Sequence, residues 1–241
     1  MKFGCTCIIP FFNEEKGLSG VLDKITKIKE FENILLVNDG SSDNSLSIAK
    51  KYKEKLKNIE IVSYNKNKGK SGAIYEGLKK TKTSHLFLFD ADLKNIKINE
   101  IKNVINSIKE NPEIDMGILR RIMSKRYIKL LYRELILSGQ RILKTKDLKE
   151  IYKEKFNKYQ LEIAINDFME KNKKIVVRFP FSANNTFKSD KRGFLGGRKK
   201  DVSMFLDIFK YQGFFFYIKH SLSFKPYNMT KYRKIKKNNL K

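Results

Sequence analysis

One feature excludes most folds for this chain: apolar runs and amphipathic stretches alternate along its first half. "GCTCIIP" is a short apolar run of strand type, followed by "EEKGLSGVLDKITKIKEF". There Leu18, Val21, Leu22, Ile25 and Ile28 recur at helical spacing. "NILLVND" reads as a buried strand, closed by the turn "DGSSD", and "NSLSIAKKYKEKL" as the next helix. "IEIVSY", the Gly/Lys loop "NKNKGKSG" and the helix "AIYEGLKKT" come next. "HLFLFD" is a fourth strand, and "INEIKNVINSIKE" an amphipathic helix stopped by Asn111-Pro112. Strand–helix alternation predicts an α/β fold, a mostly parallel sheet with helices on both faces. The strands are continuous apolar runs, as strands covered on both faces must be.

Past residue 115 the alternation loosens. "DMGILRR" is a fifth strand, "SKRYIKLLYREL" a helix, and "SGQRILKTKDLKEIY" a strand and turn leading into a helix. "YQLEIAINDFMEKN" is a further helix and "KIVVRFP" a sixth strand. From Phe181 to Lys200 the polar, Gly-bearing composition predicts a mobile loop. The expected organisation is one domain over residues 1–200, followed by an aromatic and basic C-terminal helix and tail over 201–241.

In open parallel sheets, ligands bind beyond the carboxyl ends of the strands. In this chain those ends read "PFFNEE", "NDGSSD", "NKNKGKSG" and "DADL". The last places Asp90 and Asp92 one residue apart at the mouth of an apolar strand, where their charges repel. Paired carboxylates with oxygen ligands only suit a hard divalent cation, Mg²⁺ or Mn²⁺, which also takes phosphate oxygens. Read alone, Asp92 is equally a helix N-cap. Glu14 and Glu15 are equally first-turn acids, and Asp39-Gly40 equally a plain turn.

The ordered set of motifs resembles the GT-A glycosyltransferases of family 2, in particular the branch that makes polyprenyl- or dolichyl-phosphate sugars. "IIPFFNEE" resembles that family's first-strand Pro-x-Tyr-Asn-Glu signature, with Phe12 in place of Tyr. "VNDGSSDNS", "NKGKSGAIYEGL" and "FLFDADL" are similar to its Asp-Gly-Ser turn, its Asn-x-Gly-Lys loop and its metal-binding Asp-x-Asp. "SGQRILKTKDL" and "YQLEIAINDFMEKNKKIVVRFP" resemble its later Gly-x-Arg and Glu-bearing segments, so the likeness runs over residues 3–181.

The resemblance implies a nucleotide-sugar site. Pro10, Phe12, Asn13 and Glu14 would line the base and ribose pocket, and Asp39 would bind the base. Lys70 would lie near the base, ribose or diphosphate. Asp90, Ala91 and Asp92 would hold ribose and metal. The expected activity is inverting, metal-dependent transfer to a polyprenyl phosphate, with a saccharide or glycolipid acceptor as the alternative. A lipid phosphate is already anionic and needs no base, and Arg120, Arg121 and Arg141 are candidate phosphate forks, with Arg192 and Arg198 closing over the site. For a saccharide acceptor, Glu162 is the candidate base. Lys94 stands where the lipid-phosphate branch often has Gln, which bears on metal affinity. The Gln-x-x-Arg-Trp motif of processive relatives is absent, since the chain has no Trp.

Lys and Arg number 52 against 26 acidic residues, a net charge of +26 over 241 residues. That excess points to a polyanionic partner or to compositional drift. No nucleic-acid-binding motif accompanies it, so nucleic acid is not expected. An anionic membrane is, because the last stretch is basic and aromatic ("GFFFYI") yet too short to span. Cys5 and Cys7 are too few for a disulfide framework. The expected location is cytoplasmic, peripheral on the inner face of the membrane.

Overall fold

The computed structural model describes residues 2–121, 138–154 and 161–185. β1 (Cys5–Phe11), α1 (Leu18–Ile25), β2 (Asn33–Asp39), α2 (Ser45–Lys55), β3 (Ile59–Tyr64), α3 (Gly69–Lys80) and β4 (His85–Leu88) follow the alternation read from the sequence. β5 (Leu93–Lys94), α4 (Ile98–Glu110), β6 (Met116–Arg121), β7 (Arg141–Lys144), α5 (Thr145–Ile151), α6 (Leu161–Lys171), β8 (Val176–Phe181) and β9 (Asn184–Asn185) complete the described elements.

Among the described residues, seven strands form one sheet in the order β3-β2-β1-β4-β7-β6-β8. The pairs β1–β2, β2–β3, β1–β4 and β6–β8 are parallel. β7 is antiparallel to both of its neighbours, β4 and β6. The carboxyl ends of β1, β2, β4 and β6 therefore share one edge, and β7 enters the sheet from that edge.

The helices follow their apolar stripes. In α4, Ile101, Val104, Ile105 and Ile108 are buried at helical spacing, and Asn111 ends the helix by donating from Nδ2 to Ser107 O at 2.6 Å. Each such isoleucine contributes about 1.5–3 kcal/mol by leaving water. Apolar side chains cover both faces of the sheet. One layer holds Cys5, Cys7, Phe31, Phe87 and Phe89, and the other Ile8, Leu35, Leu88, Ile118 and Leu143. Cys5 and Cys7 are free and fully buried, and burial pushes both thiols well above the ordinary value.

The mostly parallel sheet agrees with the sequence expectation, β7 being its antiparallel member. One sequence expectation needs correction. The stretch from Phe181 is not loop at its start. Phe181 closes β8 in the core, Ser182 N donates to Glu100 Oε2 at 2.8 Å, and Asn184–Asn185 pairs with β5. A polar composition concealed this because the anchors are hydrogen bonds. The helix expected over "SKRYIKLLYREL", the tail over 201–241, Arg192 and Arg198 lie outside the described residues.

Candidate functional site

The loops after β1 and β2 are tied together. Asn13 takes a positive φ of 53°. Its backbone N–H donates to Ser41 Oγ at 3.1 Å, and its Oδ1 accepts from Ser42 N at 2.8 Å. Glu14 N donates to Ser45 Oγ at 2.8 Å. Glu15 ties the two loops twice: Glu15 N donates to Asp43 Oδ2 at 3.1 Å, and its Oε2 accepts from Asn44 N at 3.2 Å. Burial opposes ionisation of Asp43, but hydrogen bonds from Ser45 and Glu15 prevail and lower its pKa. Asn13 and Glu15 thus shape the loop. Phe12 is left 44% exposed, a large ring outside the core, while Pro10 is half-buried in β1 opposite Val37.

Asp39, at the end of β2, is 3% exposed. Its Oδ1 accepts from the Tyr64 hydroxyl at 2.8 Å and from Lys68 N at 2.7 Å. Its backbone carbonyl accepts from Asn67 Nδ2 at 3.2 Å. The carboxylate therefore anchors the Gly/Lys loop. Gly40 follows at φ 75°, where an added Cβ would meet Asn65 O at 2.7 Å.

Beyond β4 the Asp-x-Asp carboxylates meet the later half of the chain. Lys70 Nζ lies 2.7 Å from Asp90 Oδ1 and 3.3 Å from Glu162 Oε1. Burial disfavours the Lys70 ammonium, but Asp90 and then Glu162 overcome it, so its pKa is raised. Gln140 Nε2 donates to Asp90 Oδ2 in a short hydrogen bond. Gly139 makes the gathering possible. A Cβ there would sit 3.1 Å from Asp90 Oδ2 and collide with Lys70 Nζ. Ala91 is buried and Asp92 half-buried. α4 begins only at Ile98, with Lys97 at its N-cap, so Asp92 does not cap it.

Arg141 is not a surface phosphate fork. It is fully buried, its Nε donating to Ser138 O at 2.6 Å and its Nη1 to Glu162 O at 3.2 Å and Asn166 Oδ1 at 2.7 Å. Burial lowers its pKa to about 10, partly opposed by Glu162. Its place fixes the start of α6 and so the position of Glu162. The sequence pattern misled because a lone Arg reads alike in a core network and at a surface.

Arg120 is exposed on β6. Nearby Arg178 has its pKa lowered to about 10 by burial and then by the charge of Arg120. Lys94 is exposed on β5, opposite Asn184. Sequence reasoning missed Tyr64 and Gln140. Tyr64 reads as a strand residue, and Gln140 lay unremarked inside the quoted "SGQR".

The oxygen chemistry of Asp90 and Asp92 fits a hard cation. Among the described residues no three His, Cys, Asp or Glu side chains cluster. The remaining ligands would then be waters and diphosphate oxygens, the usual arrangement for Mg²⁺.

A mostly parallel sheet with acidic and basic groups gathered at one edge is the architecture of a GT-A fold. The chain belongs to the glycosyl transferase family 2, whose model matches residues 6–225. It is 37% identical over 92 residues to the uncharacterized glycosyltransferase YaiP of Escherichia coli, covering 38% of this chain and 23% of that protein. It is 32% identical over 90 residues to poly-beta-1,6-N-acetyl-D-glucosamine synthase of Staphylococcus aureus, covering 37% of this chain and 22% of that protein. It is 27% identical over 125 residues to dolichyl-phosphate beta-glucosyltransferase of Dictyostelium discoideum, covering 46% of this chain and 37% of that protein. The matched stretch spans well under half of each curated relative.

The fold also matches glucosyl-3-phosphoglycerate synthase of Mycobacterium tuberculosis solved with Mn²⁺, UDP-glucose and phosphoglyceric acid, at a TM-score of 0.62 and 17% identity. That match covers 76% of this chain and 72% of that one, and the likeness is one of fold.

Proposed function

We propose that this chain transfers a sugar from a nucleoside-diphosphate donor to an acceptor hydroxyl, with inversion and with a divalent cation at Asp90 and Asp92. One observation carries this reading. In a family 2 chain, Lys70 bridges Asp90 and Glu162 beyond the carboxyl end of β4. Phe12 offers a ring for the base, and Asp39 has Oδ2 for it while Oδ1 holds the loop. Asp90 and Asp92 would hold Mg²⁺ or Mn²⁺, which supplies positive charge to the departing diphosphate. Lys70 adds a fixed cation where that charge develops. Glu162, with a carboxylate oxygen in the crevice and its backbone pinned by Arg141, takes the acceptor proton. Calorimetric titration with a panel of nucleoside diphosphates, with and without Mn²⁺, tests the donor half. Failure of every nucleotide to bind would reject it.

A second reading replaces the hydroxyl with a polyprenyl phosphate at a membrane surface. The similarity to dolichyl-phosphate beta-glucosyltransferase supports it. The basic composition of residues 201–241 agrees, with Lys231, Arg233, Lys234, Lys236 and Lys237 near the end. No helix among the described residues is long and apolar enough to cross a membrane. Co-sedimentation with anionic vesicles at low and high salt tests it. A chain that ignores anionic vesicles at low salt leaves the hydroxyl acceptor.

A further inference from the structure

Gln140 is fully buried, and its surroundings do not explain why it is polar. Pairing of β4 with β7 sets Leu88 against Arg141, so Gln140 falls level with Phe89. On that face of the sheet the neighbours are apolar: Phe89 and Ile142 belong to one continuous hydrophobic layer, as does Leu119. A leucine or methionine there would pack at no polar cost, whereas an amide must find partners inside the protein. Gln140 finds one chiefly outside the layer: its Nε2 donates to Asp90 Oδ2. On the other end of the amide, Ser138 Oγ lies 3.5 Å from Oε1 but only 2.8 Å from Leu119 O, so Ser138 is largely committed elsewhere. The ionised Asp90 carboxylate can only accept, which fixes the NH₂ group of Gln140 toward it.

With Lys70 on Oδ1 and Gln140 on Oδ2, the Asp90 carboxylate is held at both oxygens. Two donors stop its rotation, and only one of them is charged. Lys70 also contacts Glu162, so it answers to two carboxylates, whereas Gln140 answers to Asp90. Gly139, immediately before it, removes the side chain that would push Asp90 and Lys70 apart.

We propose that Gln140 is a positioning residue of the donor site: its buried amide sets the orientation in which Asp90 meets a divalent cation, and only through that cation the nucleotide. Its place in a donor site rests on the glycosyl-transfer reading above. Gln140 touches neither substrate nor metal. It acts through Asp90, as a group behind a metal-binding carboxylate does, and loss of such a group costs 10- to 100-fold in metal-linked affinity.

The test uses the full chain and the tightest of a panel of nucleoside diphosphates, titrated with Mn²⁺ and again with chelator. Gln140→Met keeps the volume and removes the donor. It should melt at the wild-type temperature or higher and keep the metal-free nucleotide affinity. Its Mn²⁺-dependent gain in affinity should fall about 10- to 100-fold. Gln140→Glu keeps the shape but sets a second acceptor against Asp90, and it should lose more of that gain than Gln140→Met. A purely structural Gln140 predicts the reverse: a lower melting temperature in Gln140→Met with the Mn²⁺-dependent gain intact, and that result overturns the proposal. Wild-type protein that binds nucleotide without any Mn²⁺-dependent gain overturns it too, while sparing the nucleotide site. Wild-type protein that binds no nucleotide rejects the donor reading itself, and the proposal with it.

Discussion

The Tyr64 hydroxyl donates to Asp39 Oδ1 at 2.8 Å, binding the end of β3 to the end of β2 beside the Gly/Lys loop. The same oxygen accepts from Lys68 N, so the carboxylate keeps a partner when the phenol is removed. Tyr64→Phe should cost about 1 kcal/mol of stability, the usual net worth of one such bond. Asp39→Ala removes both bonds and the carboxylate proposed to bind the base, and should weaken nucleotide binding by about 1–3 kcal/mol. Urea melts and calorimetry measure the two separately. Unchanged nucleotide affinity in Asp39→Ala would remove Asp39 from the site.

Asp92→Asn keeps the side-chain shape and deletes one ligand charge. Nucleotide binding should lose its dependence on Mn²⁺ while the melting temperature stays within a few degrees of wild type. Relief of repulsion with Asp90 offsets any lost contact. Turnover at the wild-type Mn²⁺ requirement would reject Asp92 as a ligand.

The sheet and the edge that gathers the candidate site were legible because both are written in local patterns. Apolar runs such as "NILLVND" end in polar loops, and the family motifs sit at those ends. What stayed hidden was pairing across the sheet. Nothing near Lys70 in sequence points to Glu162, 92 residues away, or to Asp90. They meet because β7 runs antiparallel beside β4 and brings Gly139 and Gln140 against Asp90. Arg141 was misplaced for the same reason. Its burial depends on α6 lying across β7, which local periodicity does not report.

His85 gives the fold a pH dependence. Its Nδ1 lies 2.9 Å from Ser84 Oγ, its ring stacks on Phe3 at 4.7 Å, and its Nε2 is buried with no hydrogen-bond partner among the described residues. Burial, then the charge of Lys144, lowers its pKa from 6.5 to about 4. The unfolded chain therefore binds the proton first. Stability is fully present above pH ~6.5 and falls as the pH drops toward ~4. The loss should be of the order of 1–2 kcal/mol, after discounting for the partly exposed ring. His85→Phe should flatten denaturation midpoints across that window. An unchanged slope would assign the pH dependence to other groups.

Glu162 separates the two acceptor classes. A hydroxyl acceptor must lose its proton as it attacks, and a positioned base supplies about 10²- to 10⁴-fold of rate. A phosphate acceptor is already anionic and needs no such help. Glu162→Gln changes the charge and little else, because Arg141 holds the backbone carbonyl of residue 162, not its side chain. Lys70 keeps Asp90 as its partner at 2.7 Å, so the donor half of the site should survive. Nucleotide affinity should therefore stay within a few-fold of wild type. Release of nucleoside diphosphate from the cognate nucleotide sugar, measured with saccharide acceptors, should fall by at least about 10²-fold, and polyprenyl phosphate should accept little sugar from either protein. If the polyprenyl phosphate reaction instead runs readily, and at the wild-type rate in Glu162→Gln, Glu162 is not the base, and the lipid phosphate replaces the hydroxyl as the acceptor.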